Sequence, residues 1–550
     1  MPAVADHRFY YLSNFQQALE WLAQRYADLL SAEECAFMRR FAQLPLVSRA
    51  LFVRLMMRKG EHFRVSRLAY PEIGCALQAA QGLPQEWITL DPALSLPELF
   101  ALATKPELVR GLGLRGPLKS ARKEDLLAAL AAHPDHAVAR PFAQWMAPGQ
   151  GGEQVLRMRL GGLCERLRLM FFGNLRQDWS EFVLADLGRL RYEQIALSPQ
   201  ARGFRSRADI DLYLQLQACK DRYHAAEDAA AILAALPAGR FDNPWLESRR
   251  ERLLFQLGQL FEKAGDWAQA QQVYATCAYP GARVRAIRVL EKQGRFGPAH
   301  ALLKAASQAP ESEAERQQLL RIAPRLARQL GLPPALRARP AVVDQIALVL
   351  PADGSRVEVV VQRHLQQAQA PVFYVENALV NTLFGLLCWE ALFAAIPGAF
   401  FHPFQREPAD LLSADFAARR RDLLACCLGR LDDGSYREYV LATHEAKHGL
   451  QSSFVAWGAI TREMIVLALD CIPAAHLKLW CLRILEDVRE NRNGFPDLIQ
   501  FWPQEKRYRM IEVKGPGDRL QDNQRRWLDY CARHAMPVSV CYLQWEQAVA

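Results

Sequence analysis

Residues 496–530 read PDLIQFWPQEKRYRMIEVKGPGDRLQDNQRRWLDY, the most informative stretch of this 550-residue chain. Two runs in it, 498–502 and 509–513, are rich in β-branched and aromatic residues and predict strands. Residues 520 to about 534 predict a helix, and residues 538–542 predict a last strand. With the helical segment that precedes them, they predict a helix–strand–strand–helix–strand unit with a small mixed sheet.

Charged residues stand at the ends of these two strands. Asp497 begins the first strand, and Glu512 and Lys514 lie two residues apart on the second. Side chains two apart point to one face, so Glu512 and Lys514 should converge while Val513 packs behind them. Carboxylates are ligands suited to Mg²⁺ or Mn²⁺, and a lysine beside them can hold an attacking water or offset charge on a pentacovalent phosphate. Such a site hydrolyses phosphodiesters.

The N-terminal region is basic. Between residues 39 and 67 eight basic residues meet one acid, Glu61. Apolar residues interleave at helical spacing, and a local excess of seven charges is more than solubility requires. A solvated helix face is the alternative. We predict that the following residues contact DNA: Arg54, Arg58, Lys59, Arg64 and Arg67.

Residues 94–130 predict two short helices, 106–110 and 122–130, on either side of a glycine-rich turn. Their helix–GLxxxG–helix pattern resembles a SAP module, a small DNA-binding helical pair. The alternative is a helical connector of no special function. The basic residues predicted to contact DNA here are Lys105, Arg110, Arg115, Lys119, Arg122 and Lys123.

After Pro237 the pattern becomes a run of helical hairpins. The segments LFEKAGDWAQAQQVY (260–274) and VLEKQGRFGPAHALL (289–303) repeat Glu-Lys-x-Gly-x-aromatic-x-x-Ala at a 29-residue offset, which is tetratricopeptide-like. The predicted domains are a basic helical DNA-binding region (1–90), a SAP-like module (91–135), a helical connector (136–235), a tetratricopeptide-like domain (236–365) and a nuclease domain (366–550).

Composition excludes several classes of protein. The twelve cysteines include no C-x-x-C pair, which argues against a disulfide framework or a cysteine-rich zinc module. Residues 383–401 carry Glu390 as their only charge, but Pro397-Gly398 interrupts them, so they predict a buried core helix and no membrane span. The net charge of +9 is compatible with a polyanionic partner. We expect a cytoplasmic protein, nucleoid-associated if bacterial.

The quoted stretch, with Gln524-x-x-Trp527 in its helix, resembles the VRR-NUC branch of the PD-(D/E)xK nucleases. Three upstream blocks resemble the Fanconi-associated nuclease family: LFVRLMMRKGEHFRVSRLAYPEI (51–73), FFGNLRQDWSEFVLADLGRLRYE (171–193) and VENALVNTLFGLLCWEALF (375–393). The resemblance covers nearly the whole chain. It implies a mostly α-helical N-terminal two thirds and a C-terminal α/β PD-(D/E)xK (VRR-NUC) domain.

The resemblance also implies an activity and the residues that perform it. The activity is that of a structure-specific 5′-flap endonuclease and 5′→3′ exonuclease, acting on branched DNA in interstrand-crosslink repair. Asp497, Glu512 and the carbonyl of Val513 would bind metal, Lys514 would be the catalytic lysine, and Glu376 would complete a site for two Mg²⁺ or Mn²⁺ ions. Gln524 would position the lysine or a phosphate.

Alternatives remain for two of these residues. Glu376 can instead be an acid favoured by the helix dipole, with Glu390 as the competing ligand. Gln524 can be an ordinary surface glutamine.

Two departures from the family pattern limit what the resemblance implies. No N-terminal C-x-x-C…H-x-x-x-C segment is present, so no ubiquitin-directed recruitment is implied. Asn523 stands where relatives can carry a basic residue, which removes the basis for a 5′-phosphate contact at this position. We expect a monomer.

Two rival functions are compatible with parts of the sequence. Residues 444–448, HEAKH, fit the HExxH pattern of a zinc metalloprotease, with Glu445 as base and Glu463 or Glu486 as third ligand. However, Gly449 predicts a helix C-cap that places His448 in the last turn. The other rival is a non-catalytic helical DNA-binding scaffold, against which the presence of every expected acid and the lysine argues.

Overall fold

The computed structural model describes residues 7–146, 153–186, 189–197, 202–333 and 342–546. The chain divides into two compact units, residues 1–190 and 191–550. Taken singly, none of the described helices is long and apolar enough to cross a membrane. One pair, Arg462–Cys471 and Ala474–Glu486, passes that test only jointly, with a 111° bend between its members.

The first unit is mainly helical. Its longest helix carries Leu12, Phe15, Leu19 and Leu22 on one buried face, which packs against the third, tenth and eleventh helices. The helices are α1 (Tyr10–Arg25), α2 (Ala32–Gln43), α3 (Leu46–Met56), α4 (Ala76–Gln81), α5 (Leu96–Leu102), α6 (Lys105–Gly111), α7 (Pro117–Ser120), α8 (Lys123–Ala131), α9 (Phe142–Trp145), α10 (Gly161–Phe172) and α11 (Ser180–Asp186).

A small antiparallel sheet interrupts the helices of this unit. It consists of β1 (His62–Arg64), β2 (Ile88–Leu90) and β3 (Val155–Met158), in the order β1-β3-β2. The sequence predicted helices through both the N-terminal region and the connector, so this sheet is a correction. Strands of three or four residues show no periodicity, and the central one comes from the predicted connector, more than sixty residues after β2.

The predicted SAP-like helices are present as α6 and α8. Thr104 and Glu107 form a reciprocal capping box at the start of α6. Gly113 and Gly116 have φ of +62° and +61°, so the turn between the helices uses left-handed backbone. Leu108 and Leu126 pack in the core that joins the two helices.

The second unit begins with a helical array in which each helix contacts the next. The sequence repeat recurs in the structure, because Gly265 and Gly294 both end a helix with left-handed φ, +78° and +71°. The helices are α12 (Arg207–His224), α13 (Ala229–Ala235), α14 (Pro244–Ala264), α15 (Trp267–Thr276), α16 (Ala282–Lys292), α17 (Phe296–Gln308) and α18 (Glu313–Gln329).

A five-stranded mixed sheet follows. Its strands are β4 (Asp344–Leu350), β5 (Val372–Tyr374), β6 (Leu498–Trp502), β7 (Arg507–Lys514) and β8 (Val538–Trp545), in the order β4-β8-β7-β6-β5. The last three confirm the predicted strands. The accompanying helices are α19 (Val357–Leu365), α20 (Leu379–Leu387), α21 (Trp389–Leu392), α22 (Arg421–Asp433), α23 (Tyr436–Lys447), α24 (Arg462–Cys471), α25 (Ala474–Glu486), α26 (Val488–Asn491) and α27 (Asp522–Arg533).

One domain boundary and one helix differ from those predicted. β4 pairs in parallel with β8, so the nuclease sheet begins well before residue 366, inside the segment 236–365 predicted as tetratricopeptide-like. The single core helix predicted for residues 383–401 is replaced by α20 and α21, because Cys388, with φ −101° and ψ 19°, departs from helical geometry between them. The apolar stretch is nevertheless buried, as predicted.

Both faces of the sheet are covered. On one face, Val360 and Val361 of α19 share a core with Val513. On the other, Trp527 and Leu528 of α27 belong to the large core of the unit. The ends of β6 and β7 therefore lie between two helical layers, with little exposure to solvent.

Candidate active site

The pairing of β6 with β7 brings two acids side by side. Leu498 pairs with Ile511 in antiparallel register, so Asp497, one position earlier, lies opposite Glu512, one position later. The backbone N–H of Val513 donates to Asp497 Oδ2 at 2.8 Å. The hairpin of β6 and β7 thus brings together two acids that are separated in sequence.

Lys514 completes this row on β7. Its Nζ lies 2.7 Å from Glu512 Oε1. The Val513 side chain, 2% exposed, points to the opposite core with α19. This is the arrangement that the two-residue spacing of Glu512 and Lys514 predicts.

Burial dominates the electrostatics of both acids. It raises the pKa of Glu512 to about 8, and the neighbouring charge of Asp497 adds to the shift. Burial likewise raises the pKa of Asp497 to about 6, against the hydrogen bond from Val513 N–H, which lowers it. Glu512 is fully buried, and neither of its oxygens has a hydrogen bond of acceptable geometry. The Glu512 carboxylate therefore lies where an added positive charge would stabilise it.

Glu376 reaches the same place through β5. The N–H of Val375 donates to the carbonyl oxygen of Asp497 at 2.8 Å, which continues the pairing of β5 with β6. The Glu376 carboxylate is exposed and accepts hydrogen bonds from the Tyr374 hydroxyl and, at 3.3 Å, from Asn377 Nδ2. Its charge contributes to the raised pKa of both Asp497 and Glu512.

Glu390, the competing candidate, is engaged elsewhere. It lies on α21, and Arg430 Nη2 donates to its Oε2 at 3.0 Å. More than half of its side chain is exposed. The structure therefore offers Glu376 as the remote acid beside Asp497, although its role as a metal ligand stays a prediction.

The donor set suits a hard divalent cation. Asp497 and Glu512 supply carboxylate oxygens. Glu512 contacts Lys514 through Oε1, and its Oε2 is the kind of buried group that a cation would stabilise. As the side chains stand, no three His, Cys, Asp or Glu residues within the described ranges are close enough to hold a metal ion. Glu376 would have to leave Tyr374 to become the third ligand.

Sequence reasoning missed Asn377, whose hydrogen bonds stabilise the backbone beside Asp497. Asn377 adopts left-handed backbone, φ +52°, and its Oδ1 accepts from the N–H groups of Gly494 at 2.8 Å and Phe495 at 3.1 Å. Asparagine tolerates this conformation better than most residues. Asn377 thereby ties the segment after Glu376 to the loop before Asp497. No sequence pattern indicated this contact between residues more than a hundred positions apart.

A further acid, Glu358, was also missed. It lies half-buried in the first turn of α19, and its negative charge contributes to the raised pKa of Asp497. A Cβ added at Gly515 would come within 3.0 Å of Val357 Cγ1, so the start of α19 packs closely against the end of β7. The amphipathic pattern of residues 357–365 could have indicated the helix but not its position beside the site.

Gln524 has a structural partner. Its Oε1 accepts from the backbone N–H of Gln521 at 2.8 Å, in a capping box that begins α27. The structure therefore places the predicted motif at the helix start, and the catalytic role of Gln524 stays a prediction.

The N-terminal basic cluster is partly neutralised by acids distant in sequence. Arg54 Nη2 lies 2.6 Å from Glu72, and Arg64 contacts Glu107 at 2.7 Å and Glu153 at 2.9 Å. Arg67 also lies 3.4 Å from Glu107. Arg54 and Arg64 are therefore bound in ion pairs at partly buried positions, which a count of local charge does not reveal. Arg58 and Lys59 are exposed.

In the SAP-like module the basic residues fall into two groups. Lys105 Nζ donates to the Ser120 carbonyl at 3.1 Å, and Lys123 Nζ to the Ala103 carbonyl at 2.9 Å, so both brace the module. The exposed residues are Arg110, Arg115, Lys119 and Arg122. For all six basic residues of the module, contact with DNA stays a prediction.

The HExxH motif lies in an aromatic cluster. Helix α23 ends at Lys447, so His448 is its C-cap and does not lie in the last turn as predicted. Gly449, with φ +79°, follows the cap in left-handed backbone. The rings of His444 and His448 lie 5.4 and 5.2 Å from that of Trp457. Burial lowers the pKa of His444. The described part of the chain offers these histidines no third ligand, so zinc-protease chemistry has no structural support.

Comparison with known proteins identifies the family. A model described as the VRR-NUC domain matches residues 431–545. Models described as the FAN1 HTH domain and the Fanconi anemia-associated nuclease SAP domain match residues 9–89 and 93–145. The Fanconi-associated nuclease 1 homolog of Pseudomonas aeruginosa is 53% identical over 547 residues, which cover 99% of this chain and 97% of that protein. The chain belongs to the Fanconi-associated nuclease family.

Other members agree with this assignment. The Arabidopsis thaliana homolog is 25% identical over 610 residues, 96% of this chain and 66% of that protein. Crystal structures of paFAN1 bound to 2-nucleotide and 1-nucleotide 5′-flap DNA with a gap match with TM-scores of 0.93 and 0.91. Both are 52% identical to this chain. The first match covers 99% of this chain and the second 98%, and each covers 100% of the paFAN1 chain.

Family membership confirms several predictions made from the sequence. The Fanconi-associated nuclease resemblance, the SAP module and the C-terminal VRR-NUC fold are confirmed. The chain is a hydrolase, a DNA nuclease, which leaves the scaffold and protease alternatives without support. Nucleases of this family generally use divalent metal ions.

Proposed function

We propose that this Fanconi-associated nuclease cuts branched DNA that carries a 5′ flap and degrades DNA from 5′ ends, in the repair of interstrand crosslinks. The observation that carries the proposal is the row formed by Asp497, Glu512 and Lys514, with Glu376 brought beside it by strand pairing. The likeness to paFAN1 in its complexes with 5′-flap DNA, over nearly the whole chain, supports the choice of substrate.

The residues that would hold metal are Asp497, Glu512, the carbonyl of Val513 and Glu376. We propose Mg²⁺ or Mn²⁺, with two ions per site. Such ions, when bound, polarise the phosphate and lower the pKa of the attacking water. Glu376 would exchange its hydrogen bond with Tyr374 for this role, and its exposure allows the side chain to turn.

The chain's own residues supply orientation and charge. Lys514 Nζ, held 2.7 Å from Glu512, is placed to orient the attacking water or to offset negative charge on the phosphate. In hydrolysis the water oxygen forms the new bond to phosphorus, one ester P–O bond breaks, and the leaving oxygen takes up a proton. Asp497, Glu512 and Lys514 are all less than a tenth exposed, so their charges act with little screening by water.

A cleavage assay tests the proposed substrate. Purified protein is incubated with 5′-flap, 3′-flap and duplex DNA of matched sequence, in Mg²⁺, in Mn²⁺ and in EDTA, with the strand ends labelled. We expect metal-dependent incision near the 5′-flap junction, slower 5′-end degradation of duplex, and nothing in EDTA. Equal cleavage of 5′- and 3′-flaps would contradict the proposed specificity. Cleavage in EDTA would contradict the metal requirement.

A further inference from the structure

Helix α18, the last of the helical array, contacts the first turns of α27, the helix of the nuclease domain that follows β7. Arg321 Nη1 and Nη2 reach the two carboxylate oxygens of Asp522 at 2.5 and 2.6 Å. This is a bidentate pair, which fixes orientation as well as distance. Asp522 is the first residue of α27.

A second side chain of α18 spans the next turn. Gln317 Nε2 donates to the Asp522 carbonyl at 3.3 Å, and Gln317 Oε1 accepts from Arg526 Nη1 at 3.0 Å. Arg526 also donates to Glu490 at 3.0 Å. Gln317 and Arg321 lie one turn apart on α18. They therefore bind two residues of α27, Asp522 and Arg526, that are also one turn apart.

The start of α27 lies against the loop that carries Asp497. A Cβ at Gly494 would come within 2.9 Å of Asn523, which leaves no room between them. The Phe495 ring lies 4.0 Å from that of Trp527, centroid to centroid. A shift of the first turn of α27 must therefore displace residues 494–495, which lie two and three positions before Asp497.

We propose that Arg321 and Gln317 are positioning residues of the nuclease site, through which the helical array holds Asp497 in the geometry that binds metal. The proposal rests on the metal-dependent nuclease function proposed above. Arg321 and Asp522 are each about half exposed, so their pair contributes little to global stability. Its effect should instead appear in metal affinity.

The chain provides a matched control. Arg325, one turn further along α18, makes an ion pair of the same kind with Glu291, at 2.6 and 2.7 Å, and is similarly exposed. Glu291 belongs to α16, so this pair stays within the array. Arg321→Met and Arg325→Met thus remove equal charge from one helix face, but only the first loosens α27.

The test measures Mn²⁺ binding by calorimetry, flap-DNA affinity and thermal midpoint for both variants, with Mg²⁺ dependence of single-turnover cleavage in parallel. We expect Arg321→Met to weaken Mn²⁺ binding and raise the Mg²⁺ needed for half-maximal rate by about tenfold, the size found for residues that orient ligands from outside. DNA affinity and thermal midpoint should stay unchanged. Arg325→Met should match wild type in Mn²⁺ binding, Mg²⁺ dependence and DNA affinity, while its thermal midpoint should fall slightly, because Glu291, 11% exposed, loses its partner.

A charge exchange makes the result specific. The double variant Arg321→Asp with Asp522→Arg should recover Mn²⁺ affinity that each single reversal loses. Equal Mn²⁺ affinity in Arg321→Met and Arg325→Met would overturn the proposal, as would a loss accompanied by an equal loss of DNA affinity. If wild type binds Mn²⁺ but does not cut flap DNA, the proposed function fails, while the calorimetry still decides the role of Arg321.

Discussion

The backbone N–H of Val375 lies 2.8 Å from the carbonyl oxygen of Asp497. This hydrogen bond joins positions 122 residues apart in sequence and places Glu376 at the end of β5, beside the start of β6. The third acid thus arrives by strand pairing. It does not arrive on the apolar helix, which begins only at Leu379.

Replacement of the site residues separates cleavage from binding. We expect Asp497→Ala, Glu512→Ala and Lys514→Ala each to abolish detectable cleavage, because these groups handle metal and water, while flap affinity, which comes from basic surfaces, survives. Single-turnover rates and fluorescence anisotropy measure the two properties. A near wild-type rate for Glu512→Ala in Mn²⁺ would show that the site is assigned wrongly.

The raised pKa values predict a pH-dependent metal requirement. Protons compete with metal for a carboxylate whose pKa is about 8, as for Glu512, and again below about 6, as for Asp497. The Mg²⁺ concentration for half-maximal cleavage should rise as pH falls below 8, by up to about tenfold per unit where one proton must leave. A requirement that is constant between pH 6.5 and 8.5 would contradict the burial of Glu512.

The same shift has a consequence for stability without metal. The pKa of Glu512 is raised from 4.5 to about 8, so the stability it contributes is complete below pH 4.5 and is lost as pH rises through 8. Glu512→Gln removes the buried charge. In EDTA its thermal midpoint should exceed that of wild type at pH 8 by more than at pH 5. A difference that is the same at both pH values argues against the shift.

The exposed members of the N-terminal basic cluster should carry its DNA affinity. Reversing the charge of Arg58 and Lys59 should weaken flap binding and reduce the salt slope by about one unit for each phosphate that the variant no longer neutralises. Arg64→Ala is the contrasting variant. It should lower the thermal midpoint, because Glu107 and Glu153 each lose an ion-pair partner, with little change in salt slope. An unchanged slope for the double reversal would identify a merely solvated face.

The β-branched and aromatic content of residues 509–513 made β7 predictable. The two-residue period of side chains along a strand then predicted the meeting of Glu512 and Lys514. The same reasoning could not find β5, since three residues show no period, nor the pairing of β4 with β8, which joins segments almost two hundred positions apart. The position of Glu376 followed from family resemblance alone.

Pairing over long distances also explains the overcount of free charge in the basic region. One partner of Arg64, Glu153, lies 89 positions away, beyond any local window.

Glu376→Gln tests the third acid. The variant keeps size and polarity, so fold and DNA affinity should be unchanged, while metal-dependent cleavage should fall by orders of magnitude. Glu390→Gln is the matched control on the following helical segment, and it should cleave like wild type, because Glu390 pairs with Arg430 away from the site. Equal rates in the two variants would remove Glu376 from the metal site.

The most direct measurement is a crystal structure of the protein soaked in Mn²⁺, with the ions located by anomalous scattering. The strand pairing described here predicts an ion bound by Asp497 and Glu512, with the Glu376 carboxylate turned from Tyr374 to coordinate it directly or through one water. A Glu376 carboxylate more than about 6 Å from every bound ion, beyond direct or one-water coordination, would contradict the account.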